Sequence, residues 1–411
     1  MNKLPDGWKI KKLKDICTIQ DGIHKTPKYT SKGIKFVSVE NINDLYNSNK
    51  FISEEDYNKM YKIKAKKNDI FMTRIGDIGT PAILNKDEKL AYYVTLCLFT
   101  NIDEEVFNKY LYYAIQSNYF KKELYHRTLH VAFPKKINLG DIGDCKFILP
   151  TLEEQKRIAS ALSKIDAYLE NTIKLIEEKE RFKRGIAKKL LTCKEGENIP
   201  EARFKGFEDE WKEYNLSKIG VSYNGLRNKK ANSFVENCNA KYITYKSVYD
   251  KNKIDINRLG NVFIGKNENQ NLVKYGDIFF TISSETPDEV AISSVLLDEV
   301  ENTYLNSFCF GFRFDFNILL PEFARYYFRS DYIRKSTYRL AQGITRYNIS
   351  KKKFLDIIIY LPSLEEQEKI GGYLSLLDEE IDNLKKQKKL IKEIKRGAMQ
   401  KLLSGEVRLL E

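Results

Sequence analysis

Closely spaced cysteines are missing from this 411-residue chain: its six cysteines stand alone at 17, 97, 145, 193, 238 and 309, and no C-x-x-C pair occurs. That spacing argues against a thiolate zinc site and against a disulfide framework, and it points to a reducing, cytoplasmic setting. Histidine is scarcer still. His24, His126 and His130 are the whole set, so a serine or cysteine triad has few bases to draw on. No stretch approaches the ~18 apolar residues that a membrane-spanning helix needs. The N-terminal MNKLPDGWKIKKL also lacks an apolar signal-peptide core, so the chain is expected to be neither embedded nor exported. A glycine-rich methyl-donor loop is absent, as is any Asn-Pro-Pro-aromatic or Asp-Pro-Pro-aromatic motif for amino-group methylation.

What is present is ample core material and an excess of positive charge. A hydrophobic fraction of 42%, with 23 Phe and 26 Tyr, supports packed cores, and the length suggests two or three domains. The formal charge of +13 and a pI near 9.1 predict attraction to a polyanion.

The chain is also written twice. LPTLEEQ begins at Leu149 and LPSLEEQ at Leu361, and the register between them holds through to Lys-Arg-Gly at Lys183 and Lys395. Over 44 aligned positions, 18 are identical, which chance does not give. The only two tryptophans, Trp8 and Trp211, each open W-K-x3-L-x2-I, and D-I-F-x-T recurs at Asp69 and Asp277. Between these landmarks the copies diverge, the pattern of one scaffold carrying two variable surfaces. Most of the excess charge lies outside the repeated 152–192 and 364–404 segments, in the diverged regions where a phosphate-facing surface is expected.

Each repeat opens a long helix. Apolar residues run Ile370, Leu374, Leu377, Ile381, Leu384, Ile391, Ile394, Ala398, Leu402 in the second, and Ile158, Leu162, Ile165, Leu169, Ile176, Phe182, Ile186, Leu190 in the first. The spacing of three and four marks a coiled-coil seam, with Thr172, Lys179 and Lys388 as polar members. Forty residues make a rod of about 60 Å. Pro150 and Pro362, with Thr151 and Ser363 three residues ahead of Glu154 and Glu366, spell two capping boxes. In the second helix, acids crowd the first half, to Asp382, and bases the second, from Lys385. Packed antiparallel, acidic halves meet basic halves, whereas a parallel pair would set Asp166 beside Asp378. The charge gradient also complements each helix's own dipole. An antiparallel pair of equivalent helices implies a pseudo-two-fold axis.

The remaining divisions follow. Residues 1–148 and 200–360 are expected to form mixed α/β domains, 149–192 and 361–405 the spacer helices, and 193–199 the linker. Strands are expected at Ile34–Val39, Ala91–Phe99, Phe308–Phe314 and Ile357–Tyr360, and helices at Tyr110–Tyr119 and Glu322–Tyr332. The fold class is thus α+β, two mixed α/β domains joined by two long antiparallel helices.

Catalytic constellations are weak. GNVFIGKN from Gly260 nearly spells a phosphate loop, but Asn267 replaces the hydroxyl that would hold magnesium, so a hairpin turn is expected. His126 and His130 have helical spacing without the Glu or third ligand of a metalloprotease. Pro287, Asp288 and Glu289 begin like a metal nuclease motif whose later acid and lysine do not follow. No metal site is expected, and the chain reads as non-catalytic by itself.

The doubled LP-[TS]-LEEQ, the paired W-K-x3-L-x2-I, NDIFMTRIGDIG at Asn68, GDIFFTIS at Gly276 and RFKGFEDEW at Arg203 resemble the DNA-specificity subunit of type I restriction-modification enzymes. The resemblance covers essentially the whole chain. It implies two target recognition domains, each reading one part of a split double-stranded DNA target, with paired antiparallel helices setting the gap. It further implies two methyltransferase subunits and restriction/translocase subunits as partners, and places S-adenosylmethionine, ATP and magnesium with those partners rather than here.

Base reading needs Arg, Lys, Asn, Gln or hydroxyl side chains. The first half offers His24, Lys25, Thr26, Lys28, Arg74, Arg127 and His130, and the second Arg227, Asn228, Lys229, Lys230, Ser283, Ser284, Gln342, Thr345 and Arg346. AQGITRYNIS resembles the family's small-polar segment before the last strand, and the aligned LHVAFPKKIN departs from it. Glu153, Glu154, Gln155, Glu365, Glu366 and Gln367 recur, which suits either binding of the methyltransferase subunit or helix capping. Two other readings stay open: a specificity subunit of a combined restriction-methylation enzyme outside type I, and a coiled-coil protein-interaction adaptor.

Overall fold

The computed structural model of the chain describes residues 4–194, 196–236 and 238–409, so Glu195 of the expected linker lies outside the described residues. The chain divides into two units, residues 1–173 with 386–411 and residues 174–385. Each contains one mixed α/β domain and one half of each long helix.

The first unit centres on a four-stranded antiparallel sheet in the order Thr18–Asp21, Leu96–Thr100, Ile70–Ile75, Asp77–Ile83. A three-stranded sheet, Phe51–Ile52, Ile34–Val37, Leu90–Tyr92, lies beside it in the chain path, with the last two strands parallel. Lys9–Lys12 pairs with Lys146–Leu149 and so closes the domain where the long helix begins. The second unit repeats the plan. Its four strands are Gly220–Asn224, Cys309–Phe314, Ile278–Thr281 and Ser293–Val295, and its three are Gly260–Val262, Ala240–Ile243 and Thr303–Leu305. Lys212–Asn215 pairs with Ile358–Leu361. Central strands such as Ile70–Ile75 and Cys309–Phe314 are almost wholly buried.

Three expected elements are broken. Ala91–Phe99 is two strands in different sheets, Leu90–Tyr92 and Leu96–Thr100. Tyr110–Tyr119 and Glu322–Tyr332 each divide at a serine. The Ser117 hydroxyl accepts from Phe120 N at 3.1 Å and the Ser330 hydroxyl from Ile333 N at 3.5 Å, starting new helices at Asn118 and Asp331. An N-cap serine outcompetes continuation of the apolar pattern. In the Gly260 stretch, Gly260–Val262 is an edge strand paired with Ala240–Ile243, and the expected turn falls at the far end, at Gly265–Glu268.

The long helices run Leu152–Leu191 and Leu364–Ser404. Within the first unit, the early part of one meets the late part of the other, with Lys395 Nζ 2.6 Å from Asp166 Oδ1. Within the second unit, Lys183 pairs with Asp378, Lys179 with Glu380 at 2.6 Å and Lys385 with Glu180 at 2.7 Å. The helices are therefore antiparallel, the sense that the charge gradient favours. Ile158, Leu162, Ile176, Leu190, Ile370, Leu374, Leu377, Ile381, Ile391 and Leu402 are buried.

Phe182 and Ile394 depart from the expected seam, at equivalent positions, being 52% and 60% exposed. The next residue in each case, Lys183 and Lys395, takes the inward place because an aspartate waits there. Tyr326 and Tyr113, one from each domain, donate to the same aspartates, Tyr326 to Asp378 at 2.7 Å and Tyr113 to Asp166 at 2.8 Å. A Lys–Asp–Tyr triple thus ties both helices to the domain in each unit.

Candidate nucleic-acid interface

Each unit presents a cluster built from the same three pieces. The first is a loop leaving the sheet edge. Gly22 and Gly225 mark the point of departure, where a Cβ would come within 2.2 Å of Tyr92 O and 1.9 Å of Asn306 O. His24, Lys25, Thr26 and Lys28 follow Gly22, all exposed. Arg227, Asn228, Lys229 and Lys230 follow Gly225, so the two segments are structurally equivalent. The second piece is the end of the D-I-F-x-T strand, carrying Arg74 and Gly76 in one unit and Ser283 and Ser284 in the other. The third is a narrow projecting loop, 129–136 or 342–348.

Backbone pairing joins the second and third pieces. Gly76 N donates to Lys135 O at 2.8 Å and Ile137 N to Arg74 O at 3.1 Å. In the second unit Ser283 and Ser284 pair with Asn348 and Tyr347, and Ile349 N donates to Ile282 O at 3.0 Å. Gln342 and Asn348 exchange both backbone bonds, at 2.9 and 2.8 Å, closing the loop base. In the first unit, His24 and Arg74 meet on Asp21, at 2.8 and 3.4 Å from Oδ2.

Several sequence-selected side chains are spent inside the chain. Arg74 is buried, and its guanidinium donates to Ile137 O, Val94 O and Asp21, so it braces the loop base instead of reaching a base edge. The Ser284 hydroxyl is buried and donates to Glu289 at 2.9 Å. Lys229 donates to Phe263 O at 2.6 Å and pairs with Glu268. Arg127 is half-buried and pairs with Glu123 at 3.0 Å. The partners are remote in sequence, one helical turn away or, for Ser284, five residues on across a turn, which residue type alone does not reveal. His24, Lys25, Thr26, Lys28, His130, Arg227, Asn228, Lys230, Gln342, Thr345 and Arg346 stay exposed, and Ser283 is half-buried.

Residue-type reasoning passed over some groups at the same place. Tyr125 and Tyr338 occupy equivalent positions at the foot of the projecting loops, both exposed, and Tyr125 packs on His130 with ring centroids 4.5 Å apart. Tyr245 donates to Ser283 O at 2.9 Å and stacks on Tyr249, whose hydroxyl donates to Glu289. That bond holds the Glu289 carboxyl below its ordinary range and pushes the Tyr249 phenol up to about 12. The match of Tyr125 with Tyr338 is visible once the two copies are aligned through the serine caps.

The recurring LEEQ residues divide sharply. Glu153 and Glu365 are exposed, or nearly so. Glu154, Gln155, Glu366 and Gln367 are buried with all their chemistry turned inward. Gln155 accepts from Phe107 N at 2.8 Å and donates to Glu105 O and Pro150 O, and Gln367 does the same with Leu320 N, Ile318 O and Pro362 O. Thr151 and Ser363 accept from the Glu154 and Glu366 amides at 3.4 and 3.3 Å. The carboxylates themselves are taken by arginines: Glu154 by Arg408 and the Trp8 indole, Glu366 by Arg203. Four of the six residues considered for a partner surface are thus internal clamps. Among the described residues, no group of three or more His, Cys, Asp or Glu is placed to hold a metal ion, and no helix is long and apolar enough to cross a membrane.

A sequence profile of the type I restriction modification DNA specificity domain matches residues 5–178 and again 208–395. The chain belongs to that family. It is 27% identical over 387 residues to the type I restriction enzyme MjaVIII specificity subunit of Methanocaldococcus jannaschii, spanning 89% of this chain and 86% of that one. It is 26% identical over 433 residues to the putative type I restriction enzyme MjaX specificity subunit of the same organism, spanning 100% and 96%. The crystal structure of the type I restriction-modification S subunit from M. genitalium shares the fold, with a TM-score of 0.57, 18% identity, and coverage of 98% of this chain and 97% of that one.

Proposed function

We propose that this family member is the DNA-reading subunit of a type I restriction-modification assembly. Each unit's loop cluster reads one half of a split double-stranded target, and the long helices set the unread gap. One observation carries this reading: two clusters of matching backbone plan hold different side chains, His24-Lys25-Thr26 against Arg227-Asn228 and 130–135 against 343–346. A shared frame with exchanged side chains is what two different half-sites require. Exposed cations beside those side chains, Lys28, Lys135, Lys230 and Arg346 among them, suit phosphate contact. The chemistry belongs to partners in this reading: two methyltransferase subunits using S-adenosylmethionine, and restriction/translocase subunits using ATP and magnesium. With Glu154, Gln155, Glu366 and Gln367 turned inward, Glu153 and Glu365 remain as the recurring residues open to a methyltransferase subunit. The setting is cytoplasmic.

Methylome sequencing with and without the gene, in cells expressing the partners, tests this directly. One split motif with a fixed gap should lose adenine methylation on deletion, and an unchanged methylome would overturn the reading. Lengthening both helices should change the gap and leave the bases unchanged.

A further inference from the structure

The two projecting loops end in apolar side chains that touch nothing. Val131 and Phe133 are 99% and 103% exposed in the first unit, and Ile344 is 92% exposed in the second. A folded chain gains no stability from leaving such groups in water. They are not scattered surface residues, since they stand at equivalent tips of equivalent loops.

Both tips are held firmly at the base. Leu129 N donates to Lys136 O at 2.8 Å, Gln342 and Asn348 pair in both directions, and the strand ends at Gly76 and Ser283 pair alongside. The second tip needs its glycine: Gly343 has φ +137°, and a Cβ there would lie 2.1 Å from Arg346 O. Within 128–137 and 341–349 there is no carboxylate, while His130, Lys135, Lys136 and Arg346 flank the apolar residues. An apolar point in a purely cationic, hydroxyl- and amide-bearing loop is complementary to a polyanion that also displays apolar groups. Duplex DNA does so at one place: the only apolar group a base pair presents in the major groove is the thymine C5-methyl. That groove also admits a two-stranded ribbon.

We infer that Val131 and Phe133 in one unit, and Ile344 in the other, are specificity residues that pack against thymine methyl groups in their half-sites. This rests on the DNA-reading function proposed above. The tips supply the apolar part of readout, and Gln342, Thr345, Arg346 and His130 the polar part.

The test uses the full chain assembled with its methyltransferase partners, on duplexes carrying the motif found by methylome sequencing. Ile344→Ser should weaken binding about tenfold and erase the preference for thymine at one position of one half-site. The double variant Val131→Ser/Phe133→Ser should do so only in the other half-site. Replacing that thymine by deoxyuracil removes the methyl alone, and should cost the wild type roughly fourfold while costing the variant nothing. Because these side chains touch no other part of the chain, thermal midpoints should not move. Unchanged affinity and motif in both variants would overturn the inference, as would an affinity loss equal on all sequences with no sensitivity to deoxyuracil, the signature of an apolar wedge between base steps. A wild-type complex with no sequence-selective binding would overturn the DNA-reading function itself, an outcome distinct from both.

Discussion

The two units are alike where the long helices start and differ at their projecting tips. At the start, Gln155 and Gln367 make the same three bonds to equivalent backbone groups, and Glu154 and Glu366 each take a bidentate arginine. At the tip, Val-Ala-Phe-Pro stands where the other unit has Gly-Ile-Thr-Arg. A buried polar cluster tolerates little change, because each lost partner leaves an unsatisfied group out of water's reach. A tip that touches only solvent has no such constraint, so it is free to follow whatever it meets.

The largest way to break the comparison is at the glutamines. Gln155→Leu strands the Phe107 amide and the Glu105 and Pro150 carbonyls, at about 3 kcal/mol or more. Hydrogen exchange should show lost protection at Leu152 onward and at Asn108–Ile115, with Gln367→Leu acting likewise at Leu364 onward and Pro321–Tyr327.

The glutamates come next and sharpen the contrast. Arg408 is the main cause of a lowered Glu154 pKa, with the Trp8 indole adding to it, so Glu154→Gln should cost about 1.5–3 kcal/mol at neutral pH. The folded pKa lies below the unfolded carboxylate value of about 4.3. The stabilisation is therefore fully present above that value and fades as pH falls through the folded one. Thermal midpoints of wild type and Glu154→Gln should differ by a constant amount from pH 7 to 5 and draw together as pH falls below the unfolded carboxylate value of about 4.3. Glu366 lacks the indole, since Trp211 Nε1 has no hydrogen-bond partner, so Trp211→Phe should be milder than Trp8→Phe.

Smaller effects belong to the helix pairs. A double-mutant cycle on Lys395 and Asp166 should give about 0.5–1 kcal/mol, and one on Lys183 and Asp378 a similar value. Smallest of all, Phe182→Ser and Ile394→Ser should cost about 1 kcal/mol or less, because half or more of each side chain stands in solvent. A large loss in either would restore them to the seam.

Much of this was legible in the chain itself. Direct repetition exposes the two copies, and the segregated charges of the second helix favour antiparallel pairing over parallel. The loops after Gly22 and Gly225 are legible from residue type together with their place in polar stretches between apolar runs. Other features were hidden for identifiable reasons. Heptad spacing placed Phe182 and Ile394 inside because it sees only periodicity, not the aspartate and tyrosine that draw the neighbouring lysine inward. Arg74 and Lys229 looked like free cations because Ile137, Val94 and Phe263, whose carbonyls they bind, are remote in sequence. Glu154 and Gln155 looked like a recurring surface patch because repetition records constraint without saying whether it comes from a partner or from the core.

By itself, the sequence determined the duplication, the two helices, their antiparallel sense and the regions that vary, since these depend on periodicity, charge order and local capping, all of which are one-dimensional. Only the tertiary structure decided which polar side chains are consumed and which remain free. That outcome depends on pairings between residues tens to hundreds of positions apart, such as Arg408 with Glu154, and on the few side chains, Val131, Phe133 and Ile344, that nothing in the fold comes back to cover.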